Sequence, residues 1–199
     1  MSIIKLGTEV RREQIAQAAL ALIASQGVNG LNMMGLARRV GLGASSLYRH
    51  FASKDQVLEA VLDLLRDRLL DNVQIALGEA IHPLEQLKRL LALHLRLILE
   101  YQALPRLFFS GDLYAGRPER KAKLYGIVKT YLGEVAEIVR RGQKDNTIRL
   151  DLDPEAVSVM FLGLIQPTAI LWHLSDGEFN VGRQVEQAWP LFMEAIKVR

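Results

Sequence analysis

The chain has 199 residues, half of them hydrophobic, so one or two domains with a sizeable core are expected. It has no cysteine, which excludes disulfides and thiol chemistry and is compatible with a reducing cytoplasm. The net charge is +3, but residues 1–54 carry seven Lys/Arg against two acids, a net +5, and the remaining 145 carry 18 against 20, a net −2. Met1 to Val10 contains no apolar stretch long enough for a signal peptide. The longest apolar run, Ala156 to Trp172, is broken by Ser158, Gln166 and Pro167 and falls short of the roughly 20 residues a membrane span needs.

The first predicted helix covers residues 9–26. Ile15, Ala19, Leu22 and Ile23 form its apolar face, and Gly27 ends it. The arm before it, with Lys5, is either a phosphate contact or a loose terminus.

Residues 32–51 read as two short helices at a sharp bend. Asn32 can cap the first through its side-chain oxygen, and Leu36, Ala37 and Val40 share one face. Gly41-Leu42-Gly43 breaks the helix, since glycine tolerates the positive φ of a tight turn. Leu47 and Phe51, four apart, anchor the second helix to the same core. Ser45, Ser46, Tyr48, Arg49 and His50 then point elsewhere. Two anchored short helices with a three-residue turn make a helix-turn-helix, whose second helix enters the DNA major groove. The positive charge excess sits with this motif, as a phosphate-binding surface requires.

A fourth helix starts after Ser53, which forms a capping box with Gln56. Lys54 thereby lies at a helix N-terminus, a site suited to a DNA phosphate. Val57, Leu58, Val61, Leu62, Leu65 and Leu69 carry this helix to about Leu77, a length of roughly 36 Å. His82-Pro83 opens a fifth helix, apolar nearly all round and therefore buried, that runs to about Gln102. Leu104 to Ser110 reads as a short helix, 114–118 as a loop, and 118–144 as a long helix ended by Asp145-Asn146. Asp153-Pro154 opens a helix to about Leu174, with a kink expected at Pro167. The last helix covers about Gly182 to Lys197, bent at Pro190, with Val185, Ala188, Trp189, Phe192 and Ile196 on one side. No strand pattern or repeat is present, so the expected fold is all-α with about nine helices.

Leu47-Tyr48-Arg49-His50-Phe51-Ala52-Ser53-Lys54-Asp55 resembles the signature of the tetracycline-repressor (TetR) family of bacterial transcription regulators. The agreement reaches back through Leu36-Ala37 to Gly27 and covers roughly residues 8–68; the remainder agrees in length and helical character. The resemblance implies a three-helix DNA-binding head over residues 1–54, with the motif at 32–51. It implies a helical effector-binding and dimerisation domain over 55–199. It matches Tyr48 to a phosphate contact through its hydroxyl, and His50 and Lys54 to further backbone contacts. Ser45, Ser46 and Arg49 fall on the recognition helix, where base edges are read, and Arg49 can pair bidentately with guanine. Arg38 can reach a base or a phosphate, whereas Arg39 is expected to be solvated and Met33 and Met34 to be core or flank. Gly43 departs from the pattern, because many members place a capping serine there. The cap is then absent or shifted to Ser45 or Ser46, which leaves the start of the recognition helix open.

For the second domain, His94, Tyr101, Gln102, Phe108 and Phe109 are candidate lining of an effector pocket. Tyr125, Gln166, Trp172 and His173 complete that set; each aromatic has ordinary core as its alternative. Met160, Phe161, Leu164, Ile165, Leu171, Trp189 and Phe192 are candidates for a four-helix homodimer interface. The expected function is a dimeric cytoplasmic repressor that leaves a double-stranded, pseudo-palindromic operator on binding a small, largely apolar effector. The alternative is a DNA-binding protein of the same fold that works through a protein partner or nucleoid organisation. The four histidines (His50, His82, His94 and His173) are scattered, and there is no HExxH, Gly-rich phosphate loop or Gly-x-Ser-x-Gly. Catalysis, a metal and a cofactor are therefore not expected.

Overall fold

The computed structural model describes residues 7–101, 107, 111 and 113–198. Among these, nine helices follow in order: α1 (Thr8–Gly30), α2 (Met33–Arg39), α3 (Ala44–His50), α4 (Lys54–Glu79) and α5 (Pro83–Glu100), then α6 (Pro118–Lys144), α7 (Pro154–Gly163), α8 (Gln166–Leu174) and α9 (Val181–Ile196). The helix expected over 104–110 lies, apart from Leu107, outside the described residues.

The chain divides into two compact units. The first takes residues 1–67 with 101–124, and the second takes 68–100 with 125–199. The break falls inside α4, later than the residue 54 at which the sequence pattern separates head from remainder.

Local chemistry sets the helix ends of the first unit. Gly27 has φ 74°, so α1 is interrupted where the sequence places its end, and one further turn follows. The Asn32 side chain accepts from the Gly35 N–H at 2.8 Å, capping α2. At the start of α4 the Gln56 N–H donates to Ser53 Oγ at 3.3 Å, and Gln56 Oε1 accepts from the Ala52 N–H at 2.9 Å. This is the capping box with its return bond taken one residue earlier. The core gathers Ile15, Ala19 and Ile23 of α1, Leu36 of α2, Leu47 of α3, and Val57 and Val61 of α4, each at most 1% exposed.

In the second unit, α5 buries Leu87, Leu90, Leu91, Leu97 and Ile98, and α6 buries Tyr131, Val135, Ile138 and Val139. Asn146, at φ 57°, ends α6. Asp153 caps α7 by accepting from the Glu155 N–H at 3.1 Å, and Pro154 opens the helix. The single kinked helix expected over 154–174 is instead two helices separated at Leu164 and Ile165. Pro167 falls in the first turn of α8, where its missing N–H costs nothing, so the chain restarts a helix there. Residues 154–174 are together long and apolar enough to cross a membrane, but α7 and α8 have only ten and nine residues.

One polar pair sits in this core. His94 Nδ1 lies 2.8 Å from the Tyr131 hydroxyl, with the two rings edge to face. Burial pushes the imidazole pKa down to about 4 and raises that of the phenol. His94 is therefore neutral in the folded protein. Below about pH 6.5 the unfolded chain takes up a proton that the folded imidazole refuses. Stability is full above that pH and falls as the pH drops toward 4, by about 3 kcal/mol in all. His94→Gln keeps a hydrogen bond for Tyr131 without the titration. Urea unfolding from pH 7 to 4 should show a shallower acid loss for this variant than for the wild type. Equal slopes would mean that His94 does not carry the effect.

Candidate nucleic-acid interface

The motif is built from α2, a tight turn and α3. Leu36, Leu47 and Phe51 are fully buried beneath it. Gly41 adopts φ 66°, the left-handed conformation that lets the chain reverse, and the Leu42 N–H reaches back to the Ala37 carbonyl at 2.9 Å. Gly43 is extended (φ −67°, ψ 150°) and takes the N-cap position without a side-chain bond. Its carbonyl accepts from Ser46 and Leu47 N–H at 3.0 and 3.1 Å. The recognition helix therefore starts at Ala44, and neither Ser45 nor Ser46 caps it.

One face of α3 is left to solvent. Ser45, Tyr48 and Arg49 are exposed, Tyr48 at 51%, and Ser46 and His50 are half-buried. A buried role for the Tyr48 ring is thereby removed, and its hydroxyl is free to reach out. Arg49 Nη2 donates to Ser46 Oγ at 3.1 Å, which holds the guanidinium along the helix surface. Arg38 and Arg39 are both exposed in the last turn of α2. Lys54, the first residue of α4, sits with Nζ 3.4 Å from the Asn29 carbonyl, beside a positive helix end. His50 Nδ1 is buried without a hydrogen-bond partner among the described residues. Met33 is half-buried and Met34 is 62% exposed, so Met34 is flank and not core.

Sequence reasoning missed two features of this unit. Arg12 of α1 donates to the His50 carbonyl, and its guanidinium lies 4.1 Å from the centroid of the Phe51 ring. A charge ladder also joins α4 to the start of α6. Arg120, 5% exposed, donates to Glu59 at 3.1 Å, to Asp55 at 2.9 Å and to the Leu113 carbonyl at 2.8 Å. Arg117 bonds Asp55 at 2.7 Å, and Lys123 reaches Glu59 at 3.0 Å and Asp63 at 2.9 Å. Hydrogen bonding from Arg120 is the main reason the Asp55 carboxyl is held below the usual carboxylate range. The spacing of Asp55, Glu59 and Asp63, every fourth residue, was the legible signal for this ladder.

The pocket candidates differ in burial. Gln102, Phe108 and Phe109 lie outside the described residues. Tyr125 is 68% exposed on α6, which takes it out of an enclosed cavity. His94 is buried against Tyr131 in the core. Tyr101, Gln166, Trp172 and His173 are half-buried. The dimer candidates divide in a similar way. Phe161, Ile165 and Phe192 are at most 3% exposed and belong to the subunit's own core, where Phe161 and Phe192 pack edge to face. Met160 and Leu171 are exposed, and Leu164 and Trp189 are half-buried. Val159, Leu174 and Leu191, at 58%, 73% and 74% exposure, are apolar surface the sequence reading passed over.

Residues 15–61 match the family described as bacterial regulatory proteins, tetR family. Residues 65–195, two thirds of the chain, match the YsiA-like protein C-terminal region. The chain belongs to the tetR family. It is an all-α, DNA-binding regulator of transcription with an N-terminal helix-turn-helix. Among curated relatives of this tetR-family chain, the nucleoid occlusion factor SlmA of Vibrio vulnificus is 22% identical over 94% of this chain and 96% of its own. The HTH-type transcriptional repressor KstR2 of Mycolicibacterium smegmatis is 27% identical over 87% and 86%. The structure of FadR from Bacillus subtilis in complex with stearoyl-CoA superposes with a TM-score of 0.76 at 21% identity, covering 92% of this chain and 98% of that one.

Proposed function

We propose that the protein is a cytoplasmic, dimeric repressor released from a pseudo-palindromic operator by a small, largely apolar effector. The observation that carries this reading is the solvent-facing side of α3. Tyr48 and Arg49 stand out from a helix whose opposite side, Leu47 with Phe51 after it, is locked into the core. In this reading residues 1–54 form the head. Ser45, Ser46 and Arg49 read bases, Tyr48, His50 and Lys54 hold phosphates, and Arg38 serves either. Residues 55–199 hold the effector and the dimer contact. The exposed Met160, Leu171, Leu174 and Leu191 supply apolar surface for that contact. A dimer places two copies of α3 in successive major grooves.

The effector acts by its differential affinity for two states of the protein. The continuous helix α4, Lys54–Glu79, runs from the first unit into the second and is the mechanical link. The relative solved with stearoyl-CoA makes a long-chain acyl thioester the first ligand class to test. The relatives described as nucleoid occlusion factors favour a second reading, in which the same head binds DNA without a small-molecule effector.

Fluorescence anisotropy on duplexes tiled across the gene's own upstream region, against a scrambled duplex at two salt concentrations, tests both readings. Selective binding that weakens with salt, and is reversed by stearoyl-CoA or another acyl thioester, supports the repressor. Selective binding that no such compound alters supports the second reading, and equal binding to every duplex defeats the first. On the operator so found, Arg49→Ala should lose about 1–3 kcal/mol of discrimination while keeping its affinity for the scrambled duplex. An equal loss on both duplexes would make Arg49 a phosphate contact.

A further inference from the structure

The recognition helix has only seven residues, Ala44–His50. A helix this short is marginal without outside support, so its direction is set by whatever holds its two ends. The N-terminal end has Gly43 as cap and no side-chain bond. At the C-terminal end, the last carbonyls have no N–H of their own helix to accept from. The Phe51 N–H reaches the Leu47 carbonyl at 3.0 Å. The His50 carbonyl is reached from a different helix, by Nη1 of Arg12. The same guanidinium lies 4.1 Å from the Phe51 ring centroid, within cation–π range. Phe51 is fully buried, which fixes the ring on which the cation rests. Arg12 is itself half-buried. Its neighbour Arg11 is engaged differently, donating to Gln14 within α1 at 3.0 Å.

Arg12 counts toward the basic excess of the head, yet its charge is spent inside the protein. It supplies a cation at the negative end of α3, a hydrogen bond to a carbonyl with no helical donor, and a charge over the ring of the residue that ends the helix. We propose that Arg12 is a positioning residue for operator recognition. It fixes the exit of α3, and with it the aim of Tyr48 and Arg49, without touching DNA. The proposal rests on α3 being the recognition helix.

The test uses the full-length protein, the operator duplex identified by tiling, and the scrambled duplex, across a salt series. Arg12→Met keeps most of the stem and removes the charge and the donors. Its affinity for the operator should fall about tenfold, the effect of one hydrogen bond to a charged group. Its affinity for the scrambled duplex and the salt slope should stay at wild-type values. Arg12→Lys, which restores a cation and a donor, should recover part of the loss. An equal loss on both duplexes with the slope reduced by about 1 would make Arg12 a phosphate contact and overturn the proposal. Unchanged binding on both duplexes would overturn it as well. If circular dichroism shows Arg12→Met to be unfolded at the assay temperature, Arg12→Lys decides. A loss confined to the operator then supports positioning, and an equal loss or no loss defeats it. The wild-type control separates the two levels: if the wild type prefers no duplex, the reading of α3 fails and the proposal falls with it.

Discussion

Phe51→Ala is expected to destabilise the DNA-binding head by about 3–5 kcal/mol, the cost of deleting a fully buried aromatic ring. Phe51 is completely buried, ends α3, and carries the Arg12 guanidinium on its face. The substitution therefore opens a cavity under the recognition helix and unseats the side chain that bonds its last carbonyl. Since whole domains are stable by only about 5–15 kcal/mol, this loss is enough to unfold the head locally. Amide exchange should show protection lost over α2 and α3 while α5 and the later part of α6 keep theirs, and operator binding should disappear. Tyr48→Phe is the contrasting case. The residue is half exposed, so stability should stay within about 0.5 kcal/mol while operator affinity falls with the lost hydroxyl. An unfolding free energy for Phe51→Ala within about 1 kcal/mol of wild type, from urea titration, would show that the ring does not anchor the motif.

The fold was legible wherever one residue dictates one local conformation. Asn32, Ser53 with Gln56, and Asp153 with Pro154 cap the helices they announce, and Gly27 and Gly41 adopt the positive φ that only glycine takes easily. Two misreadings have plain physical causes. Gly43 looked like a second turn glycine but is extended, because the Gly41 reversal already suffices. Pro167 was expected to kink one helix, but it has no N–H for the Gly163 carbonyl one turn earlier, and the helix breaks fully at Leu164 and Ile165. The solvent-facing residues of α3 were legible because they are what remains once Leu47 and Phe51 are buried. Interface and pocket residues were not. An apolar residue on a helix reads the same whether it faces its own core, as Phe161, Ile165 and Phe192 do, or stays exposed, as Met160 and Leu171 do. The roles of Arg12 and Arg120 were hidden for a related reason. Their partners lie 38 residues away for Arg12 and 61 and 65 for Arg120, beyond the reach of any helical spacing.

The ladder around Arg120 yields the other large effect. Arg120 has a side chain only 6% exposed, whereas Asp55 and Glu59 keep 46% and 37% of theirs in contact with solvent. The two sides of the pair are therefore unequal. Taking away the arginine leaves carboxylates that water can rehydrate, and Arg120→Met should cost about 1 kcal/mol. Taking away the carboxylate charges leaves a buried guanidinium whose remaining described bond is to the Leu113 carbonyl. Asp55→Asn combined with Glu59→Gln keeps the shape of both side chains and still should cost about 3 kcal/mol. The pH dependence has the matching sign. The Asp55 carboxyl titrates lower in the folded protein than in the unfolded chain. Its contribution is thus complete above the ordinary carboxylate pKa of about 4 and is lost as the pH falls through the folded value. Urea unfolding at pH 7 of the wild type, Arg120→Met and the carboxylate double variant would rank them in that order of decreasing stability. If Arg120→Met proved the more damaging change, the burial asymmetry would not govern the ladder. Its stability would then come from the packing of the arginine stem against its surroundings.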